Sequence, residues 1–134
     1  VVSRGLGDVY KRQQYRFAIQ GRILEFPAGT IEENENPAET VKREIEEETG
    51  YRANKWQKLG EFPLAPGYSD EFIYAFLAED LEKLENPPAQ DVDEDMETVL
   101  MTPQELEKAI LEGEFVDAKS VCSLFLAKPF LSGI

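Results

Sequence analysis

The chain of 134 residues contains no histidine and one cysteine, Cys122. These absences exclude whole chemistries: Ser-His-Asp and Cys-His nucleophile pairs need an imidazole, and zinc sites need several His or Cys ligands. Any catalysis must run on carboxylates, Lys, Tyr or a hard metal ion. Cys122 sits in the apolar, helix-like run "KSVCSLFLA", where a small buried cysteine is expected to be inert filler. Positive charge is also scarce. Against 27 acidic residues stand 14 Lys and Arg, a net charge of -13, which argues against nucleic acid or an anionic membrane as partner, since both are held mainly by Lys and Arg. Phosphates remain within reach through a bound cation. No apolar run approaches the roughly 18 residues of a membrane span, and no signal-peptide pattern opens the chain, so a cytoplasmic protein is expected.

What is present suits one globular domain, with 42% apolar residues to build a core. "RILEF", Arg22 to Phe26, alternates loosely as a strand does until "PAG" breaks it. A polar loop leads to "NPAETVKREIEEETG". There Asn36 is a good N-cap, Pro37 suits the first helical position, Glu39 completes a capping box and Gly50 is a natural stop. Ala38, Val41 and Ile45 give this helix one narrow apolar stripe. Strands are expected at Lys55 to Phe62 and Glu71 to Ala78, flanking the Pro- and Gly-bearing loop "PLAPGYSD", and a further one at Met96 to Met101. Two helices should close the chain, one capped by Thr102 with Pro103 and Glu105 behind it, the other starting near Asp117. Trp56, Phe72, Tyr74 and Phe76 read as core aromatics. The opening "VVSRGLGDVYKRQ" has neither strand alternation nor helical periodicity and looks like translated sequencing-adapter read-through. Residues 1–12 are accordingly expected to be non-native and 13–134 to form the domain, with the natural N-terminus missing.

The helix carries an unusual load. Glu44, Glu47 and Glu48 are three and four residues apart and share one face, while Glu46 points elsewhere. At about 6 Å and an effective dielectric near 20, each pair repels by roughly 3 kcal/mol. A charge run of this kind, taken alone, is a solvated acidic face with Lys42 and Arg43 as partial counterions.

The acids belong, however, to a longer fixed pattern: Gly29, five residues, Glu35, seven residues, then "REIEEETGY". This resembles the Nudix box, with Tyr51 where an aliphatic residue is usual. The resemblance implies divalent cation binding by Glu44, Glu47 and Glu48 with the backbone carbonyl of Ala28, catalytic use of Glu47 and Glu48, and structural roles for Gly29, Glu35, Arg43 and Gly50. An oxygen-only ligand set is also what Mg²⁺ or Mn²⁺ selects.

The flanks are similar to those of the ADP-ribose pyrophosphatase branch. A proline, Pro66, follows sixteen residues after Gly50, and Gly67 and Glu71 continue that branch's motif, with Ala65 in place of its serine. "QYR", Gln14 to Arg16, resembles the branch's Gln-aromatic-Arg element, whose arginine pairs with substrate phosphate; apart from the resemblance, Arg16 is a strand-edge charge. Glu25 either touches substrate or caps the loop. The cluster "DVDEDMETV" resembles the mobile loop that supplies the general base, best matched by Glu94, with Asp93 and Asp95 as alternatives.

The resemblance covers about Gln13 to Leu131. It implies an α/β Nudix fold, a mixed sheet between helices, and Mg²⁺- or Mn²⁺-dependent hydrolysis of ADP-ribose to AMP and ribose 5-phosphate. Two other functions stay open: hydrolysis of another nucleotide sugar such as GDP-mannose, and a catalytically silent nucleotide-binding domain. The partner implied is a small nucleoside diphosphate derivative, with no nucleic acid and no membrane. Relatives in this branch carry an N-terminal domain and early strands that pair two subunits, so a homodimer is expected of the full-length parent.

Overall fold

The computed structural model describes residues 2–5, 8–16, 21–86 and 97–131, with the backbone alone described in 2–22 and 97–100. Strands β1 (Val2–Gly5), β2 (Asp8–Arg16) and β3 (Gly21–Glu25) precede helix α1 (Pro37–Thr49). Strands β4 (Tyr51–Pro63), β5 (Phe72–Lys83) and β6 (Glu97–Met101) follow, and helices α2 (Pro103–Leu111) and α3 (Ala118–Leu131) end the chain. The six strands form one mixed sheet in the order β3-β2-β1-β5-β4, with β6 paired to β2. Only β1 and β5 run parallel; the other pairings are antiparallel.

Side-chain alternation along β5 builds the layers. Phe76 and Ala78 face α1, where they pack with Val41, Ile45 and Ala53. Leu77, between them, faces the opposite side and joins Phe26, Leu106, Leu124, Ala127 and Leu131 beneath α2 and α3. The sheet is therefore clad by α1 on one face and by α2 and α3 on the other, the α/β sandwich that the sequence implied. Trp56 closes the α1 side edge-on to Phe76, with ring centroids 6.5 Å apart, and its Nε1 donates to the Ala53 carbonyl at 3.1 Å.

Several expectations need correction. The segment without strand alternation nonetheless supplies β1 and most of β2. β2 runs from Asp8 to Arg16, with Arg12 against Glu25 and Arg16 against Gly21. A ladder is made by backbone groups, so alternation is not required for it. On α1 the buried residues are Thr40, Val41 and Ile45, while Ala38 is exposed; Thr40 takes that place because its hydroxyl donates to Glu35. Cys122 is exposed, since α3 buries Ser120, Ser123, Leu124, Ala127 and Leu131, and a residue at 122 falls outside that stripe. Of the expected core aromatics Phe76 is buried, Tyr74 is half-buried, and Phe72, at the start of β5, is 54% exposed.

Leu77 touches both the sheet interior and the α2–α3 layer with no solvent exposure. Leu77→Ala is expected to cost about 2–5 kcal/mol, read as a lower urea midpoint with unchanged slope. Cys122→Ser should stay within about 0.5 kcal/mol of the parent. Equal effects of the two substitutions would contradict this placement of the core.

Candidate active site

Helix α1 owes its register to its ends. Asn36 Oδ1 accepts from the Glu39 backbone N–H at 2.9 Å and the Glu39 carboxylate accepts from Asn36 N–H at 3.4 Å, a complete capping box, with Pro37 in the first turn. Gly50 ends the helix in the left-handed region at φ 75°, its N–H bonded to the Glu46 carbonyl at 3.0 Å. Thirteen residues fixed in this way bring Glu44, Glu47 and Glu48 to one face. Glu46, off that face, pairs with Arg52 at 2.6 Å.

Arg43 organises the cluster. Its Nε and Nη2 donate to the two oxygens of Glu35 at 2.9 and 3.1 Å, a bidentate pair. Its Nη1 reaches Glu44 at 2.9 Å and Glu47 at 3.3 Å, and Nη2 also donates to the Thr30 carbonyl at 3.4 Å. Glu35 accepts further from the Thr40 hydroxyl at 2.7 Å and the Glu32 N–H at 3.1 Å. The bonds from Arg43, Thr40 and the Glu32 backbone lower the Glu35 pKa from its usual 4.5 to about 2. The Arg43 guanidinium is held more firmly protonated in turn, chiefly by its hydrogen bonds to Glu35.

Glu44 behaves in the opposite sense. Burial raises its pKa, with repulsion from Glu47 adding to the rise, and the charge of Arg43 only partly offsets them.

Gly29 is where the loop crosses this face. A Cβ built there would lie 2.1 Å from Glu44 Cδ and 2.2 Å from its Oε1. The Glu44 carboxyl thus rests on the glycine, next to Ala28, in space that any larger residue would take.

Among the described residues no three His, Cys, Asp or Glu side chains close on one point able to hold an ion. The Arg43 guanidinium stands between Glu44 and Glu47 instead, so the repulsion anticipated in the sequence is met first by an arginine. The donor chemistry still fits a hard dication: three carboxylates on one face, a backbone loop pressed against the first of them, and no soft ligand.

The remaining expected residues do not all gather here. Arg16 is paired in the sheet through its backbone, and its side chain is outside the described residues. Glu94, with Asp93 and Asp95, is also outside the described residues. Glu25 is buried and turned toward α3, its Oε1 3.0 Å from Lys119 Nζ, which also pairs with Asp117 at 2.9 Å. Pro66 and Gly67 form an exposed turn, in which the Tyr68 and Ser69 N–H groups donate to the Ala65 carbonyl at 2.9 and 3.0 Å. Glu71 closes that loop, its carbonyl accepting from Leu64 N–H at 3.2 Å, and it lines a cavity of about 620 Å³. That cavity also meets Ala28, Gly29, Thr40 and Lys119. Lys119 was not anticipated from the sequence. It lies 94 residues from Glu25, and no local pattern links the two.

The NUDIX domain model matches residues 8–124. An ADP-ribose pyrophosphatase of Bacillus subtilis (strain 168) is 38% identical over 118 residues, 88% of this chain and 64% of that protein. A methanol dehydrogenase activator of Bacillus methanolicus is 38% identical over 112 residues, 84% of this chain and 60% of that protein. The chain thus spans under two thirds of the length of these curated relatives. A crystal structure of an ADP compounds hydrolase superposes with a TM-score of 0.87 at 25% identity, over 98% of this chain and 70% of that one. No described helix is long and apolar enough to cross a membrane.

Because the folded pKa of Glu35 lies below its unfolded value, the unfolded chain binds more protons there. The stabilisation is complete above pH 4.5 and is lost as pH falls toward 2. Glu35→Gln should therefore lower Tm at pH 6 and show a shallower fall of Tm over that acid window than the parent. Parallel Tm–pH curves would remove Arg43–Glu35 as the source.

Proposed function

The chain belongs to the Nudix family, and from that premise we propose that it is a pyrophosphatase cleaving the diphosphate of ADP-ribose to AMP and ribose 5-phosphate, with Mg²⁺ or Mn²⁺ as cofactor. The observation that carries the reading is the placement of Glu44, Glu47 and Glu48 on one face of α1, with the Glu44 carboxyl against Gly29. Names borne by relatives and the structural neighbour, ADP-ribose pyrophosphatase and ADP compounds hydrolase, support the substrate class.

In this reading Glu44, Glu47 and Glu48, with the Ala28 carbonyl, hold the cation. A bound dication supplies neutralisation of the diphosphate and a more acidic water. The protein's own part is positional. Arg43 clamps Glu35 with two nitrogens and spends the third on Glu44 and Glu47. The carboxylates can therefore be released for ligation while the loop stays tied to the helix through Glu35. Arg16 and the turn at Pro66, Gly67 and Glu71 are assigned to substrate, and the general base to Glu94 or its neighbours. Glu25 is assigned to the wall beside the site through Lys119, since its carboxylate is committed there.

The net charge of -13 accords with a small phosphorylated substrate reached through cations, with no nucleic acid and no membrane surface. The reading places the full-length parent in the cytoplasm as a homodimer.

With Mg²⁺ present, ADP-ribose should yield AMP and ribose 5-phosphate faster than GDP-mannose yields GMP. Glu48→Gln should lower turnover on the order of 10²-fold while the circular dichroism spectrum is kept. Faster release of GMP would move the assignment to a nucleotide-sugar hydrolase of the other kind. Saturable ADP-ribose binding without turnover in the full-length chain would make it a sensor.

A further inference from the structure

Three successive residues at the end of β3 are each tied to the segment that starts α3. Leu24 N–H donates to the Phe115 carbonyl at 2.8 Å, and Leu24 bridges Val116 in parallel register. The Glu25 carboxylate accepts from Lys119 Nζ at 3.0 Å, and Phe26 N–H donates to Ser120 Oγ at 3.0 Å. Asp117 braces the other side of the lysine. Its Oδ2 lies 2.9 Å from Nζ and also accepts from Ser120 N–H at 3.2 Å, as a helix cap does. One ammonium thus joins the cap of α3 to the last residue of β3. Burial works against its charge, and the bonds to Asp117 and Glu25 outweigh burial, so the ammonium stays protonated.

Any shift at these ties reaches the glutamate face. Phe26 is buried, and Pro27, the next residue, is fully buried with its φ fixed by the ring. Ala28 and Gly29 follow at once, and the Glu44 carboxyl rests on Gly29 with no room for a Cβ. Three residues span at most roughly 10 Å, so a displaced β3 end is carried to Gly29 with little slack. The far end of the same loop is held separately, by the fork of Arg43 on Glu35. The Glu25–Lys119–Asp117 triad is a poor source of stability, because desolvation cancels most of the attraction in a buried ion pair and apolar residues of similar size do as well. What it specifies is where two segments meet that lie 94 residues apart in the chain.

We propose that Lys119 is a positioning residue for the dication: braced by Asp117, it holds Glu25, and through Glu25 the loop at Ala28 and Gly29, in register against Glu44. The inference rests on the reading of the α1 face as a dication site. Charge and position act in opposite directions, which separates them. Loss of a cation near the glutamates raises their affinity for Mn²⁺ by Coulomb's law alone. Loss of a contact that orients metal ligands through another group lowers it, by about tenfold or more.

The test reads Mn²⁺ affinity by electron paramagnetic resonance in the unaltered chain, in Lys119→Met, in Glu25→Gln combined with Lys119→Met, and in Leu77→Ala. The combined variant removes one charge of each sign, so the net charge stays at -13. It also spares the fold an unpaired Glu25 carboxylate, and it decides the matter if the single variant does not fold. It should keep the parental circular dichroism spectrum and a Tm near the parent's, yet bind Mn²⁺ about tenfold more weakly. Lys119→Met should weaken binding too, against the direction of its charge. Leu77→Ala, destabilised through the core, should keep the parental affinity at a temperature where it is folded. Without metal, the Leu24 and Phe26 amides of the combined variant should exchange with solvent faster than in the parent, while the Ile45 amide within α1 keeps its rate. The proposal is overturned if the combined variant binds Mn²⁺ as the parent does, if Leu77→Ala loses as much affinity, if Lys119→Met binds more tightly, or if Leu24 and Phe26 exchange at parental rates. Absence of Mn²⁺ binding in the unaltered chain would instead sink the dication reading and the metal role of Lys119 with it; faster exchange at Leu24 and Phe26 would then mark a tie that serves the fold alone.

Discussion

The Arg43 guanidinium holds together groups that would otherwise separate. It pairs with four carboxylates, Glu32, Glu35, Glu44 and Glu47, through three nitrogens. The two-toothed grip on Glu35 ties the loop before α1 to the middle of the helix. This also carries Ala28 and Gly29 to the face where Glu44 lies. A lysine would supply the charge but not the planar fork that serves two directions at once. The pair is part-exposed, so its importance lies in geometry more than in net stabilisation.

Around that interaction the rest of the fold acts as a frame. The capping box at Asn36 and the left-handed stop at Gly50 set where α1 begins and ends, and the Val41–Ile45 contact with Phe76 and Ala78 sets how it rotates over the sheet. Rotation of the helix by one residue would turn Glu44 away from Gly29 and expose Ile45, which is buried at 1%. Packing on one side of the helix therefore fixes the chemistry on the other. The third layer contributes differently: Phe26 N–H donates to Ser120 Oγ at 3.0 Å and Glu25 pairs with Lys119, so the strand end that launches the loop is pinned to α3.

Much of this was legible along the chain because it is local. The cap, the proline behind it, the terminal glycine and the spacing of Gly29, Glu35 and the helix acids are all short-range features, and the helix falls where they put it. The same holds for Thr102 and Pro103 at α2. What was not legible depends on distant partners or on backbone pairing. β2 forms in a stretch without alternation because its ladder with β3 and β6 uses main-chain groups. Thr40 displaces Ala38 from the buried stripe because a carboxylate five residues back accepts its hydroxyl. Glu25 read as a substrate contact or a loop cap because nothing near it announces Lys119, and Cys122 read as buried because an apolar run does not say which side of a helix meets the sheet. Arg43, by contrast, is a local counterion that the sequence offers beside the acids, and it pairs with Glu44 at 2.9 Å and Glu47 at 3.3 Å.

The central claim is that the α1 face bearing Glu44, Glu47 and Glu48 is a dication site poised by Arg43. Its most direct test is paramagnetic broadening of backbone amide signals during substoichiometric addition of Mn²⁺ to the isotope-labelled chain. The account requires the signals of Ala28, Gly29 and residues 44–48 to disappear first, well before those of the exposed acids Glu107 and Glu112 on the far side of the fold. Broadening that advances evenly across the acidic surface, or that spares Gly29 and Glu44, would contradict it.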